Sequence, residues 1–413
     1  MPAPPAPMSP VPRRLLLAAG VVAVVAAGGL LLDRFFADPA FLPPDDFLQY
    51  WAAGRLNATG GNPYDADQLL PLQRAAGRPA DKPAVVMWNP PWALALTTPF
   101  GLLPPRTAQL LWLAAQVAAL VFCADRLWAV YGGDAGLRPW VWAGALAFFP
   151  TMFVLFAGQS GGWLLLGIVG LLLATTRGPV WWAALLPLAA VKPHLFVPVW
   201  VALALDAGRT RRGFAVFAWG AGCGLAAVAV VTAVNPDVWA QYRAALTRPA
   251  DAAHPPLSGW RSPLAGYWVR SAVAPEAFWI QAVPTALLLV ASPIYWWRRR
   301  GAWDWSVELP RLVLAGLIAA PYGAWAYDQI VLLVPVAAAL AHLTRRGTRP
   351  QTLVAAGVLC GVNAAALLSR EGEYFVWVPP AVALWSAGVL AAVRPGTADV
   401  PRVRLFASPE VSR

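Results

Sequence analysis

The chain has 413 residues, of which 59% are hydrophobic and only 12% are charged, and its formal net charge is +11. Soluble domains contain about 25% charged residues, so this composition excludes a soluble globular protein. The basic residues lie in short loops between apolar blocks and not on one face or arm. That distribution argues against a nucleic-acid partner and is typical of the cytoplasmic loops of membrane proteins. We therefore predict an all-α, polytopic membrane protein in contact with membrane lipids.

The apolar blocks predict about twelve membrane-spanning helices. The first, 15–32, follows Arg13 and Arg14, so we expect a cytoplasmic N-terminus with a disordered, proline-rich leader, residues 1–14. The other spans are expected at 92–103, 107–124, 139–157, 160–175, 179–205, 213–234, 276–297, 308–320, 326–343, 350–368 and 374–393. The basic C-terminal tail, residues 394–413, is then also cytoplasmic.

Two of these segments have lengths that do not fit a simple span. Segment 92–103 is too short unless the bilayer thins or the helix is partly re-entrant. Segment 179–205 is long and is interrupted by Pro187 and Pro193. Splitting it into two spans would place the basic cluster 209–212 outside, against the charge rule, so we predict one kinked span.

The predicted topology leaves two long loops, residues 33–91 and 235–275, on the extracytoplasmic side. These loops contain most of the polar residues. The first belongs to a core module of about seven spans, residues 15–234, and the second precedes a C-terminal set of about five spans, residues 276–393. Any site that acts on polar substrates is therefore expected on the extracytoplasmic face.

The first loop contains adjacent carboxylates at the start of a short predicted helix. Asp45 or Asp46 can cap a helix on which Phe47, Tyr50 and Trp51 follow at helical spacing. Its aromatic face would lie on the membrane interface, where a carboxylate at the helix start can meet a lipid-linked substrate. The alternative is a pair of capping residues with no further role.

Two later features of this loop are a turn and a return to the membrane. A turn rich in glycine precedes Tyr64, and Asn89 precedes two prolines where the chain re-enters the bilayer. Both residues are candidates for binding a polar substrate. Turn formation and an interfacial aromatic belt explain the same pattern without a binding role.

Polar residues within predicted spans indicate function, because a charge at a span centre costs about 2.5 to 3.5 kcal/mol on insertion scales. Lys192 and His194 flank Pro193, which frees backbone carbonyls and makes room for a polar pocket that can bind phosphate. The alternative is a lysine that snorkels to the interface. Tyr327 and Asp328 lie where an outer loop enters a span.

The remaining candidates are a tight joint between spans and the second outer loop. Gln159 lies in that joint and can hydrogen-bond either a substrate or neighbouring helices. Asp328 can likewise bind sugar hydroxyls or cap the following helix. Arg261 and His254 lie among aromatic residues in the second loop, and an arginine fork there matches either a substrate phosphate or anionic lipid headgroups.

The order of these motifs resembles glycosyltransferase family 87. The resemblance covers most of residues 40–330 and rests on Asp45-Asp46-Phe47, Tyr50, Ala53, Gly60-Gly61, Tyr64-Asp65, Asn89-Pro90-Pro91, Gly158-Gln159, Lys192-Pro193 and Tyr327-Asp328. It implies a GT-C-type fold with interfacial helices in the first extracytoplasmic loop. It also implies an acidic catalytic residue after the first span, for which Asp46 is the first choice and Asp45 the second.

The resemblance implies an inverting transferase that moves a hexose, with mannose expected, from a polyprenyl-phosphate donor to a lipid or glycan acceptor. Lys192, His194, Arg261 and His254 would bind the donor phosphate. The proposed sugar and acceptor contacts are Tyr50, Tyr64, Asn89, Gln159, Tyr327 and Asp328. We expect no cofactor and no metal, because a lipid-linked donor does not require a nucleotide-sugar metal motif.

The expected location is the plasma (inner) membrane, with both termini cytoplasmic and the site extracytoplasmic. A transporter or lipid flippase is the alternative, since Lys192-Pro193 and the short segment 92–103 allow broken helices. A sensor or assembly scaffold is a third hypothesis. The concentration of polar residues in the outer loops favours the transferase.

Overall fold

The computed structural model describes residues 10–38, 40–176, 178–248, 265–368 and 377–392, and their secondary structure is helical without strands. The chain forms two compact units, residues 1–44 and residues 45–413. The first unit contains helix α1, Pro10–Ala37, which begins inside the segment predicted as a leader. The second unit contains all other helices and every candidate site residue.

The second unit consists of helices that short 3-10 turns often interrupt. Its first half contains α2 Phe47–Ala58, α3 Ala66–Ala75, α4 Leu94–Gly101, α5 Pro105–Val130, α6 Arg138–Leu146, α7 Phe149–Ala157, α8 Gly161–Thr175, α9 Leu186–Ala189 and α10 Val197–Ala207. Its second half contains α11 Arg211–Val234, α12 Val238–Thr247, α13 Ala265–Val273, α14 Val283–Arg299, α15 Trp305–Ala319, α16 Leu333–Arg346, α17 Arg349–Leu368 and α18 Val378–Ala392.

Several helices are long and apolar enough to cross a membrane. Within the described residues there are five, or six if the pair α6 and α7, bent by 56°, forms one span. The five are Pro105–Val130, Arg211–Val234, Phe278–Ala302, Asp328–Arg346 and Arg349–Leu368. The chain is therefore a polytopic, all-helical membrane protein, as predicted, and the count of about twelve spans stays a prediction.

Helix α4 corrects the interpretation of segment 92–103 as a span. The helix has only eight residues, Leu94–Gly101. At about 1.5 Å per residue it is far shorter than the bilayer core of about 30 Å. It packs instead against α2, and Leu94 and Thr97 are buried.

The packing of α2 also corrects the prediction of a helix with an aromatic face on the membrane interface. Nine of its twelve residues are buried within the protein. Close packing is possible because glycines lie at the contact: a Cβ at Gly54 would be 2.3 Å from the Thr97 carbonyl oxygen. A Cβ at Gly101 would be 2.2 Å from the backbone nitrogen of Arg55. The aromatic residues of α2 therefore form protein core.

We expect Gly101→Ala to lower the free energy of unfolding by about 1–3 kcal/mol, because the new methyl group meets backbone atoms that cannot move independently. Gly222→Ala in α11 is the matched control, since a Cβ there meets nothing within 4 Å. In a helix interior that control is neutral or stabilises by about 0.5–1 kcal/mol. Thermal unfolding of the detergent-purified variants measures both. Equal stability of the two variants would contradict the close α2–α4 contact.

The segment predicted as one kinked span is broken at the expected point. Helix α9 ends at Ala189, and a 3-10 turn, Pro193–Phe196, leads into α10. Proline lacks the N–H that a continuous helix needs, so carbonyls before it lose their helical partners. Side chains from another segment replace these lost donors. The Trp92 indole donates to the Ala190 carbonyl at 3.0 Å, and the Asn89 amide donates to the Val191 carbonyl at 3.1 Å.

Candidate active site

Asp46 occupies the cap position of α2, but its carboxylate does not cap the helix. The side chain makes no cap hydrogen bond. Its Oδ2 accepts a 2.7 Å hydrogen bond from Nε2 of Gln159. Of the two aspartates that the sequence offered as capping residues, Asp46 therefore does not cap the helix with its side chain, and its carboxylate contacts another part of the fold.

The preceding residue, Asp45, has a different environment. Asp45 is exposed, whereas Asp46 is partly buried. The backbone of Asp45 has φ +39°, in the left-handed region that is uncommon for residues other than glycine. Strained backbone of this kind is found at functional sites, where surrounding contacts enforce it. Here the turn brings Asp46 against Gln159.

Tyr50 continues the hydrogen-bond network that begins at Asp46. Its hydroxyl donates to Oε1 of Gln159 at 2.6 Å and lies 3.1 Å from Oγ of Ser160. The ring stacks on Trp112 with centroids 5.2 Å apart. Burial raises the pKa of Tyr50, so the phenol stays neutral and remains a hydrogen-bond donor. Three predicted site residues, Asp46, Tyr50 and Gln159, are thus in direct contact.

The joint between α7 and α8 holds Gln159 in place. Gly158 ends α7 with φ +67°, and a Cβ there would be 2.6 Å from Cβ of Phe47. Helix α5 contacts the backbone of the joint through two hydrogen bonds. The Trp112 indole donates to the Gly158 carbonyl at 2.9 Å, and the Gln116 amide donates to the Gln159 carbonyl. The backbone on both sides of the Gln159 side chain is therefore fixed.

Burial and three neighbours act in opposite directions on the pKa of the Asp46 carboxyl. Burial raises its pKa above the ordinary value for aspartate, whereas the Gln159 hydrogen bond and the positive charges of Lys192 and Arg78 lower it. The net shift is upward. A carboxylate with a raised pKa is a stronger proton acceptor than an ordinary aspartate. Asp46 is also partly exposed, so a substrate can reach it.

Lys192 forms a buried ion pair on the other side of the site. Its Nζ lies 2.7 Å from Oδ1 of Asp328, whose side chain is fully buried, and 4.7 Å from the centroid of the Tyr327 ring. Oδ2 of Asp328 accepts a hydrogen bond from the Trp325 backbone N–H at 3.2 Å. The structure therefore brings together Lys192, Tyr327 and Asp328, which are up to 136 residues apart.

The two clusters are neighbours. A Cβ at Gly161, directly after Ser160, would be 2.3 Å from the Tyr327 carbonyl oxygen. The segment that contains Tyr327 and Asp328 therefore packs against the joint that contains Gln159. The positive charge of Lys192 lowers the pKa of the Asp46 carboxyl, in agreement with this packing.

His194 and the Tyr64–Asn89 pair border these clusters. The His194 ring lies 5.6 Å from the Tyr322 ring, and its buried Nε2 has no hydrogen-bond partner among the described residues. The Tyr64 hydroxyl donates to the Asn89 carbonyl at 3.3 Å, and the Asn89 side chain supports the helix break beside Lys192. The other predicted phosphate ligands, Arg261 and His254, lie outside the described residues.

An apolar cavity of about 430 Å³ opens next to the helix break. It lies between the segment containing α9 and α10 and helix α11. Its walls include Trp92, Leu186, Pro187, Ala190, Trp200 and Gly224. Ala190 is two residues from Lys192, so the apolar cavity and the cation are adjacent along the chain.

Sequence reasoning missed four residues that complete the site: Trp112, Gln116, Ser160 and Arg78. A signal for two of them was available, because Gln109, Trp112 and Gln116 recur at helical spacing within a predicted span, and polar residues there form interhelical contacts. No local pattern marks Arg78. Among the described residues, no group of three or more His, Cys, Asp or Glu side chains could hold a metal ion.

A comparison with models of protein families identifies the family of this chain. The model of glycosyltransferase family 87 matches residues 87–321, more than half of the chain. Asp45 and Asp46 precede the matched segment, whereas Gln159 and Lys192 lie within it. Comparisons with curated proteins and with solved structures gave no significant match. The family match confirms the resemblance that the motifs indicate. The chain therefore belongs to glycosyltransferase family 87 and is a membrane glycosyltransferase.

Proposed function

We propose that this glycosyltransferase moves a hexose, with mannose as the first candidate, from a polyprenyl-phosphate donor to an acceptor hydroxyl. The acceptor is a glycolipid or cell-envelope glycan on the extracytoplasmic face of the plasma membrane. The observation that carries the proposal is that a carboxylate and a cation lie on segments that pack together: Asp46 contacts Gln159, and the segment that pairs with Lys192 packs against Gly161, two residues after Gln159. An apolar cavity is lined by Ala190, two residues before Lys192 in the chain. A lipid-linked sugar phosphate needs a base for the acceptor, positive charge for its phosphate and an apolar site for its chain.

Asp46 is the proposed base. The acceptor oxygen attacks the anomeric carbon from the face opposite the phosphate, the bond from that carbon to the phosphate oxygen breaks, and the acceptor proton passes to Asp46. The polyprenyl phosphate leaves with the bonding electrons, so the anomeric centre is inverted. The raised pKa of Asp46 supports this role, because a base whose pKa is nearer to the working pH is more effective.

Lys192 is the proposed cation for the departing phosphate. An ammonium group has three N–H donors, and Asp328 uses one of them. The Lys192 side chain is 13% exposed, whereas that of Asp328 is fully buried. His194 supports the same role through its buried Nε2. Arg261 and His254 of the second outer loop stay proposed ligands for this phosphate.

The proposed sugar and acceptor contacts differ in how accessible they are. Tyr327 is partly exposed, whereas Asn89 and Tyr64, which border the same region, are buried. Tyr50 and Asp328 are buried and would influence a bound sugar through their neighbours. The basic loops predicted to be cytoplasmic support an extracytoplasmic site with both termini inside. The transporter alternative gains no support from the family assignment.

The apolar cavity lined by Ala190, two residues before Lys192 in the chain, is the proposed site of the first isoprenyl units. We expect Gly224→Phe to fill it, because a Cβ at Gly224 meets only Pro187 Cγ at 3.9 Å. The KM for a long-chain donor should rise about tenfold or more, since each displaced CH₂ group loses about 0.8 kcal/mol. A donor with one isoprenyl unit should be affected less. Gly222→Phe is the control, since Gly222 is exposed. Equal effects on both donors would exclude this cavity.

The direct test uses purified protein in detergent with radiolabelled polyprenyl-phosphate mannose and an extract of membrane lipids and glycans. We expect label to move to an extractable acceptor, and no transfer from a nucleotide-linked mannose. Polyprenyl-phosphate glucose and arabinose are parallel donors that determine the sugar. Absence of transfer from all three lipid-linked donors, or transfer from the nucleotide sugar, would overturn the proposal.

A further inference from the structure

Gln159 is joined to Asp46 by a hydrogen-bond network that engages both ends of its amide. Its Nε2 donates to Asp46 at 2.7 Å and its Oε1 accepts from Tyr50 at 2.6 Å. The side chain is only 3% exposed. A group buried to this degree, with both ends of its amide engaged, does not reach a sugar directly. It acts on the residue that it contacts.

The orientation of this amide follows from the chemistry of its partners. An ionised Asp46 carboxylate only accepts hydrogen bonds, so the Gln159 nitrogen faces Asp46 and its oxygen faces Tyr50, whose hydroxyl donates. Trp112 fixes Tyr50 by stacking on its ring. Trp112 and Gln116 also fix the backbone on either side of Gln159. Four contacts therefore hold one N–H donor at a set position against Asp46.

The position of this donor makes the two oxygens of Asp46 different. Gln159 occupies Oδ2, and Oδ1 makes no hydrogen bond to any of the described residues. A neutral amide donor also favours the charged carboxylate without adding a positive charge that would compete with Lys192 for the donor phosphate. The contact therefore acts on both the orientation and the protonation of the carboxylate.

We propose that Gln159 is a positioning residue that holds the Asp46 carboxylate with Oδ1 directed to the acceptor hydroxyl. This inference rests on the proposed role of Asp46 as the base. It replaces a direct sugar contact for Gln159 with an action through Asp46. Tyr50 has the same positioning role, because its hydroxyl holds the oxygen end of the Gln159 amide.

The test is the pH profile of kcat for transfer by the purified protein. Gln159→Leu removes the N–H donor, so Asp46 should bind its proton more tightly and the acid limb should move to higher pH by about one unit. We expect kcat at neutral pH to fall about 10- to 100-fold, with the donor KM changed by less than about twofold. Gln159→Glu should move the limb further, because two carboxyl groups then share one site.

Gln73→Leu is the matched control. Gln73 is also fully buried and also makes two hydrogen bonds, to the backbone of Val85, without touching Asp46. It should lower thermal stability without moving the acid limb. Tyr50→Phe keeps the ring and removes the hydroxyl, so it serves as a second variant if Gln159→Leu does not fold. It should move the limb in the same direction by a smaller amount.

The outcomes separate this inference from the proposed function. A normal acid limb in Gln159→Leu and Tyr50→Phe, with Asp46→Asn inactive, would overturn the positioning role and leave Asp46 as the base. A loss confined to the donor KM would make Gln159 a substrate contact instead. Full activity of Asp46→Asn would remove the proposed base and with it this inference.

Discussion

Replacing Asp46 with asparagine should reduce sugar transfer by about 10²- to 10⁴-fold, the range that a general base contributes. Asparagine keeps the size of the side chain and an oxygen that can accept the Gln159 N–H at 2.7 Å. It cannot take the acceptor proton. The loss should therefore appear in kcat, with thermal stability close to that of the original protein. Steady-state transfer from a polyprenyl-phosphate sugar measures it.

Asp45→Asn is the matched control, because it removes the adjacent carboxylate. Asp45 is exposed, and asparagine tolerates its left-handed backbone conformation well. We expect activity within about twofold of the original protein, as for most surface changes. Loss at Asp45 with retention at Asp46 would exchange the roles of the two residues. Full turnover in both variants would exclude a base at this position.

The pH dependence of the original protein should agree with these results. Because burial raises the pKa of Asp46, the carboxyl binds a proton at a higher pH than an ordinary aspartate does. Transfer should fall as the pH decreases through that raised pKa, and the residual activity of Asp46→Asn should lack this acid limb. Initial rates across a pH series, with stability checked at each pH, measure the difference.

The long spans were predictable because hydropathy is a local property. Predicted segments 107–124 and 213–234 lie inside the observed helices Pro105–Val130 and Arg211–Val234. The environment of α2 was not predictable in the same way. Its burial depends on Gly54 and Gly101 meeting backbone atoms of another helix. Hydropathy distinguishes apolar from polar residues, but an aromatic face looks the same whether it contacts lipid or protein.

The residues of the site were largely predictable, but their pairing was not. Motif order identified Asp46, Gln159, Lys192 and Asp328 as candidates with a shared function. Their contacts join positions 113 and 136 residues apart, which no periodic pattern specifies. The sequence-based interpretation treated Asp328 as a sugar ligand or a helix cap. The structure makes it the partner of Lys192, which changes what a substitution there should do.

Replacing Lys192 with methionine should lower the free energy of unfolding by about 3–5 kcal/mol, because it leaves a buried carboxylate without its partner. Asp328 is fully buried, and Lys192 Nζ at 2.7 Å is its counter-ion. The same change removes the cation proposed to stabilise the departing phosphate. Thermal unfolding and transfer assays on the purified variant would each show a loss, and neither alone separates the two roles.

The double variant Lys192→Met/Asp328→Asn separates them. It removes both charges and keeps an oxygen that can accept the Trp325 N–H, so most of the lost stability should return. Transfer should stay low, because a neutral pair gives the phosphate no positive charge. Recovery of stability without turnover supports Lys192 as a phosphate ligand. Recovery of both would mean that the ion pair stabilises the fold and that another cation meets the phosphate.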